Sequence, residues 1–124
     1  MDPSAALFFD SHPLCLPLYE AFEEAVLNRF TDVSVRTART QISFCCPKIF
    51  ACVSLPHRRS RTPEDAHIII TFGLPCRAES PRIHQSSEPY PNRWTHHLLL
   101  HSREEIDEEL FCWLDEAYAF ARFK

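Results

Sequence analysis

Three histidines and a tryptophan are concentrated in the stretch NRWTHHLLLH, residues 92–101. Imidazole nitrogens bind metals and transfer protons near neutral pH, so this stretch is the first candidate for chemistry. Successive side chains of a strand point to opposite faces of its sheet. His96 would then share a face with Trp94, Leu98 and Leu100, and His97 and His101 would point toward the other face. We therefore predict that His96 is a packed core histidine and that His97 and His101 can reach a ligand.

The cysteines provide possible partners for His97. The six cysteines include no C-x-x-C pair, which argues against a zinc ribbon and against a redox dithiol. We predict no metal, no cofactor and no catalytic residue. A hydrolase or metal-dependent enzyme in which His97 acts with a Cys or Ser, for example Cys45 or Cys52, is kept as an alternative.

The composition excludes several classes of protein. A chain of 124 residues with a single glycine has no Gly-rich loop to hold phosphates, which excludes P-loop and dinucleotide-binding domains. No apolar run reaches the roughly 20 residues that span a bilayer, so no membrane association is expected. The N-terminus lacks the basic start of a signal peptide, so we expect a cytoplasmic protein with reduced thiols.

Charge is distributed unevenly along the chain. Residues 33–101 contain nine basic and four acidic side chains, whereas both flanking segments are acidic. Such asymmetry is typical of a protein with an anionic partner, for which nucleic acid is one candidate, and equally of a protein whose two solvent-exposed helix faces are acidic. The sequence pI of about 5.9 is low for a dedicated nucleic-acid-binding protein. The basic residues are Arg36, Arg39, Lys48, Arg58, Arg59, Arg61, Arg77, Arg82 and Arg93.

Two helices and a central sheet are predicted to position these residues. The first helix begins near Pro17 and ends between Asn28 and Asp32, after an N-terminal arm over residues 1–15. The last helix begins at a capping box formed by Ser102 and Glu105 and continues as an apolar stripe. Alternation predicts strands in 33–39, TQISFCC, KIFACVSL, HIIITFGL and WTHHLLLH. The segment 75–93 contains four prolines and is predicted to be a long loop.

These elements predict a single α+β domain over residues 1–124. It has two layers: a mostly antiparallel sheet of four to five strands, with the N- and C-terminal helices on one face. The opposite face would be semi-polar and partly covered by the 75–93 loop, as expected for a binding surface. Its predicted residues are Gln41, Ser43, Cys45, Phe50, Cys52, His67, Ile69, Thr71, Thr95, His97, Leu99 and His101.

Six segments follow one another along the chain: TQISF, IFACVSL, HIIITFGL, RWTHHLLLH, EEIDEEL and EAYAF. Taken in this order they resemble an uncharacterised bacterial family, the domain of unknown function numbered 5655. The resemblance covers nearly the whole chain and implies no catalytic residues. It favours a nucleic-acid or accessory role, and it implies that the characteristic positions of the family correspond to Gln41, Ser43, Arg82, Trp94, His96 and His97.

We therefore predict a binding module rather than an enzyme. It would recognise an anionic small-molecule or nucleic-acid-like ligand on the semi-polar sheet face. A protein–protein accessory domain that uses a sheet edge is a further alternative, and a homodimer is left open. The predicted ligand-binding residues are Gln41, Ser43, Arg82, Arg93, Trp94, His97 and His101.

Overall fold

The computed structural model of the chain describes residues 3–57, 61–62 and 64–122. Arg58 and Arg59, two of the basic residues considered for nucleic-acid binding, lie outside this part. Three α-helices and six strands are present in it. The helices are α1 (Pro3–Phe8), α2 (Leu16–Arg29) and α3 (Glu108–Arg122), and the strands are β1 (Ser34–Thr37), β2 (Ile42–Cys45), β3 (Ile49–Ser54), β4 (Ile68–Leu74), β5 (Ile83–Tyr90) and β6 (Arg93–Leu100).

The six strands form one fully antiparallel sheet in the order β1-β2-β3-β4-β6-β5. The predicted α+β class with helices at both ends of the chain is confirmed, with six strands instead of four to five. The N-terminal arm contains α1 and a 3₁₀ turn, Pro13–Cys15. Among the described residues, no helix is both long and apolar enough to cross a membrane.

Strand β5 corrects the prediction that residues 75–93 form a loop covering the sheet. The segment instead adds a strand to the edge of the sheet, where a proline such as Pro89 is tolerated because one side of the strand needs no partner. Pro91 and Asn92 turn the chain into β6, and Asn92 has the positive φ of 61° that the third residue of a type II turn requires. The strand was missed because its side chains are polar and give no apolar alternation.

Helices α2 and α3 both bury an apolar face against the sheet. The ring of Phe22 in α2 meets Phe44 of β2 edge to face at 5.7 Å, and Trp113 of α3 stacks on Phe72 of β4 at 5.9 Å. We call this side of the sheet the inner face. The fully buried inner-face residues include Ile42, Phe44, Val53, Ile68, Ile70, Phe72, Leu98 and Leu100.

Helix α3 begins later than the capping box predicts. Glu105 Oε1 accepts a hydrogen bond from the backbone N–H of Ser102 at 3.3 Å, but this arrangement opens a 3₁₀ turn, Arg103–Glu105. Asp107 then caps α3, because its Oδ1 accepts the N–H of Leu110 at 3.1 Å.

Strand β4 alternates between buried and half-buried residues along its whole length. The half-buried set points away from the helices, and we call that side the outer face. A register shift at the end of the β2–β3 pair changes one predicted orientation. Phe50, predicted for the outer face, packs its ring against Phe30 at 5.3 Å and Tyr118 of α3 at 5.4 Å.

Candidate functional site

One line of polar side chains crosses the outer face from one edge of the sheet to the other. Residues that are directly paired across antiparallel strands carry their side chains on the same face. The pairing continues through all six strands, with one residue in each, over roughly 24 Å at the usual spacing between strands. We call this line the polar row: Arg36, Ser43, Cys52, Thr71, His97 and Gln85.

Side-chain contacts link two neighbouring pairs of the polar row. Ser43 Oγ lies 3.8 Å from Cys52 Sγ, and Gln41, just before β2, donates to the same oxygen from its Nε2 at 3.2 Å. Further along, Thr71 Oγ1 and His97 Nδ1 share a hydrogen bond of 2.9 Å. Ser43 is only 5% exposed, whereas Cys52, Thr71 and His97 are half-buried. The structure therefore brings the predicted residues Gln41, Ser43 and His97 onto one face of the sheet.

His97 contacts a threonine and not the predicted Cys or Ser. Strand β4 lies between β3 and β6, so Thr71 separates His97 from Cys52. Burial lowers the pKa of His97, and the nearby imidazole of His84 lowers it further. Because this pKa lies below its ordinary value, the His97 ring is mostly neutral at pH 7.

His96 is a core residue, as strand alternation predicts. It is 0% exposed and its ring stacks on Phe72 at a centroid distance of 5.2 Å. Its Nε2 accepts the backbone N–H of Ala78 at 2.9 Å, which attaches the β4–β5 link to β6. Burial is the main reason that its pKa is lowered. His96 therefore contributes to packing, on the side of β6 opposite to His97.

His101 lies just beyond β6 on the outer-face side of that strand. Its ring centroid is 5.1 Å from that of His67, and its Nδ1 is 3.9 Å from Glu105 Oε1. It also borders an open cleft of about 350 Å³. The residues that line this cleft are Pro81, Arg82, His84, Leu99, His101 and Glu105.

Arg82 is engaged with α3 instead of being available on the outer face. Its Nη1 lies 2.9 Å from Asp107 Oδ1 and 3.0 Å from Glu109 Oε1, and its Nη2 donates to the Glu105 carbonyl at 2.7 Å. The guanidinium also lies 6.0 Å from the centre of the Trp113 ring. Hydrogen bonding to Arg82 is the main reason that the pKa of Asp107 is lowered. Arg82 thus connects the start of β5 to α3. Part of its side chain also lines the cleft beside His101.

Arg93 and Trp94 lie on opposite sides of β6. Arg93 is exposed, pairs with Tyr90 of β5 and falls on the outer face together with His97. Trp94 pairs with Leu74 on the inner side, where the guanidinium of Arg77 lies 6.0 Å from its ring. The structure does not bring Trp94 together with the other predicted ligand-binding residues.

Three residues of this surface were absent from the predicted outer face. Gln85 and His84 were missed because β5 carries no apolar alternation, and Arg36 because β1 has only four residues. Arg36 lies in the stretch 33–39, which the sequence predicts to be extended. Pairing this stretch with β2 would have placed Arg36 opposite Ser43 on the outer face.

The described residues contain no group of three His, Cys, Asp or Glu side chains that could hold a metal ion. All six cysteines are free thiols. The outer face therefore presents a line of hydrogen-bond donors and acceptors. Arg36 lies at one edge of the sheet, and the imidazoles of His97 and His84 lie near the other edge.

Comparisons with known proteins give one match. A family model described as a domain of unknown function (DUF5655) matches residues 5–121. No curated protein and no solved structure matches the chain.

Proposed function

The chain belongs to the DUF5655 family, and since that family is described only as a domain of unknown function, we propose a function from the site itself. The domain is a binding module that holds an anionic small-molecule or nucleic-acid-like ligand on its outer sheet face. The polar row carries this proposal. The hydroxyls of Ser43 and Thr71 in this row are partly or almost fully buried and are held by neighbouring side chains, which contact with solvent alone does not require.

The construction of the row supports binding more than simple solvation. Ser43 keeps its hydroxyl in place although it is almost fully buried, because Gln41 donates to it and Cys52 lies next to it. Half-buried polar groups that are held by neighbours lose little freedom when they meet a ligand. The row therefore offers prepositioned partners for a ligand.

Charge supports an anionic ligand. Arg36 and Arg93 are exposed on the outer face, at opposite ends of the sheet. The acidic residues of α2 and α3 belong to the helical layer on the other face. A negatively charged ligand would therefore be attracted to the strands and repelled by the helices.

The length of the row favours an extended ligand. A small molecule usually binds in a concave site that covers most of its surface. The outer face is open, and the row crosses all six strands. A short single strand of nucleic acid could contact several members of the row at once, and Tyr90 and His97 provide rings that could stack on bases.

Fluorescence anisotropy with a labelled short oligothymidylate at low salt tests the proposal. We expect binding that weakens as salt is added, because released counterions contribute to affinity. Replacing Arg36 with Gln should weaken binding several-fold, and Arg122→Gln in the helical layer is the matched control. Absence of binding to the wild-type protein at low salt would argue against a nucleic-acid-like ligand, and equal effects of both variants would argue against the outer face.

Hydrolysis is a second candidate function, and the hydrogen bond between Thr71 and His97 is the observation that favours it. In that case the Thr71 oxygen would attack the acyl or phosphoryl centre of an ester while His97 accepts the hydroxyl proton, and His97 would pass that proton to the alcohol that leaves. Water, deprotonated by His97, would then hydrolyse the esterified threonine. Assays with chromogenic carboxylic and phosphoric esters test it. Activity that survives in a His97→Gln variant would exclude this pair as its source.

A further inference from the structure

Four of the seven histidines lie on one side of the molecule. His67 and His101 flank the paired ends of β4 and β6, His97 lies within β6, and His84 lies within β5. We call these four residues the histidine patch. His97 is the member that also belongs to the polar row.

Contacts make the histidine patch continuous. The rings of His67 and His101 are 5.1 Å apart, and His101 and His84 line the same cleft of about 350 Å³. His84 directly precedes Gln85, the residue of β5 that pairs with His97. The patch therefore extends from the start of β4 to the middle of the polar row.

Glu105 is a carboxylate that contacts this patch. Its Oε1 lies 3.9 Å from His101 Nδ1 and also accepts the backbone N–H groups of His101 and Ser102, so its negative charge offsets part of any positive charge on the patch. The charge of Arg82 in the cleft is compensated by Asp107 and Glu109. Nearby, His67 Nδ1 is 3.3 Å from the carbonyl oxygen of Asp65. Protonation of more than one imidazole of the patch would therefore give this part of the outer face a net positive charge.

We propose that the histidine patch is a proton-dependent binding site for phosphate-type oxyanions. This inference rests on the proposed function, since it names the chemical group that the outer face would bind. Protonated imidazoles donate charge-assisted hydrogen bonds from both ring nitrogens, and phosphate oxygens accept several at once. The Thr71 hydroxyl and the Gln85 amide lie beside His97 in the polar row and supply neutral donors. The domain would bind its ligand in acid and release it as the pH rises.

The test uses two anions whose charge does not change near neutral pH. One is a short oligothymidylate, which presents phosphodiesters, and the other is a cyclic inorganic triphosphate. Affinities are measured at constant ionic strength at about pH 5.5 and about pH 7.5, on either side of the usual imidazole pKa of roughly 6.5. A preference for either anion identifies the source of the phosphate groups.

We expect at least one of these anions to bind about tenfold more tightly at the lower pH, because two or more added charges lie within reach of it. The double variant His84→Gln/His101→Gln should lose most of this difference. Both side chains are exposed, so the variant should fold, and circular dichroism checks this. His57→Gln, which removes a histidine outside the patch, should keep the full pH dependence.

The outcomes separate the inference from the function on which it rests. Equal affinity at the two pH values, with Arg36→Gln still weakening binding, would overturn the proton dependence and keep the proposed function. A pH dependence that survives in the double variant would overturn the assignment to this patch. No binding of either anion at either pH would overturn both.

Discussion

His96 and His97 are adjacent in sequence, yet their side chains have different roles. One is packed between Phe72 and the β4–β5 link, and the other faces the outer side of the sheet and contacts Thr71. Strand alternation separates them, because neighbouring residues of a strand point to opposite faces. A pair that looks like a metal-binding or catalytic cluster in the sequence is therefore two separate sites in the fold.

Replacing His96 with Ala should destabilise the domain strongly. The substitution empties a fully buried ring position and leaves the N–H of Ala78 without its acceptor, which together cost about 3 kcal/mol. Urea unfolding followed by circular dichroism measures this loss. The control His57→Gln, in an exposed position, should change stability by less than about 0.5 kcal/mol. Similar stabilities of the two variants would mean that His96 is not packed as described.

Stability should fall as the pH drops below about 6.5. The pKa values of His96 and His97 are lowered in the folded protein, so the unfolded chain binds more protons in this range. Their contribution to stability is present above the unfolded pKa and is lost as the pH falls through the folded pKa. Urea midpoints measured between about pH 8 and pH 5 test this. The His97→Gln variant should show a shallower decline, and an unchanged slope would contradict the assignment of His97.

At the scale of elements, Arg82 has a structural role that its sequence position does not reveal. It connects the start of β5 to the first turn of α3 through Asp107, Glu109 and the Glu105 carbonyl. Its side chain is only 23% exposed, so these contacts are better shielded than an ordinary surface ion pair. The described contacts account for the position of this side chain without a ligand.

Replacing Arg82 with Gln should therefore lower stability by about 1–2 kcal/mol. Arg103→Gln, at an exposed position next to the same turn, is the matched control and should have a small effect. Chemical unfolding of both variants gives the comparison. If Arg82→Gln retains wild-type stability but weakens anion binding at a pH where it is folded, Arg82 is a ligand-binding residue instead.

The same ion pairs predict a loss of stability in acid. The pKa of Asp107 is lowered mainly by its hydrogen bond to Arg82, so its contribution is present above the unfolded pKa of about 3.9 and is lost as the pH falls further. In the wild-type protein, this loss of stability below about pH 4 adds to the loss that His96 and His97 cause at higher pH. The Arg82→Gln variant should lack this second decline. Parallel pH profiles of wild type and variant below about pH 4 would contradict the pairing.

Some elements of the fold could be predicted from the sequence and others could not. Helix α3 and strands β2, β3, β4 and β6 could be predicted because apolar periodicity records which side of an element is buried. Strand β5 could not be predicted, because it is an edge strand whose mostly exposed side chains show no apolar periodicity. Of the predicted site, Gln41, Ser43 and His97 were placed correctly on the outer face by alternation. The positions of Arg36 and Gln85 in the row follow from strand pairing, which the sequence does not specify. The orientation of Phe50 results from a register shift between β2 and β3, and that of Arg82 results from ion pairs with Asp107 and Glu109.

At the scale of the whole molecule, the fold separates two chemical surfaces. Acidic helices form one layer, and the strands present the polar row and the histidine patch on the other side. The order of the strands is essential, because β4 and β6 lie between the hairpin β2–β3 and the edge strand β5. Residues that are more than 40 positions apart in the sequence, such as Ser43 and Gln85, thereby join one line.

We propose that the outer face, including the polar row, is a binding surface for an anionic ligand. An NMR titration of isotope-labelled protein with a short oligothymidylate at low salt and about pH 5.5 tests this directly. We expect amide shifts at Ser43, Thr71, His97 and Gln85, with the buried residues of α2 and α3 left unchanged. Shifts concentrated in the helices, or none on the outer face at saturating oligonucleotide, would contradict it.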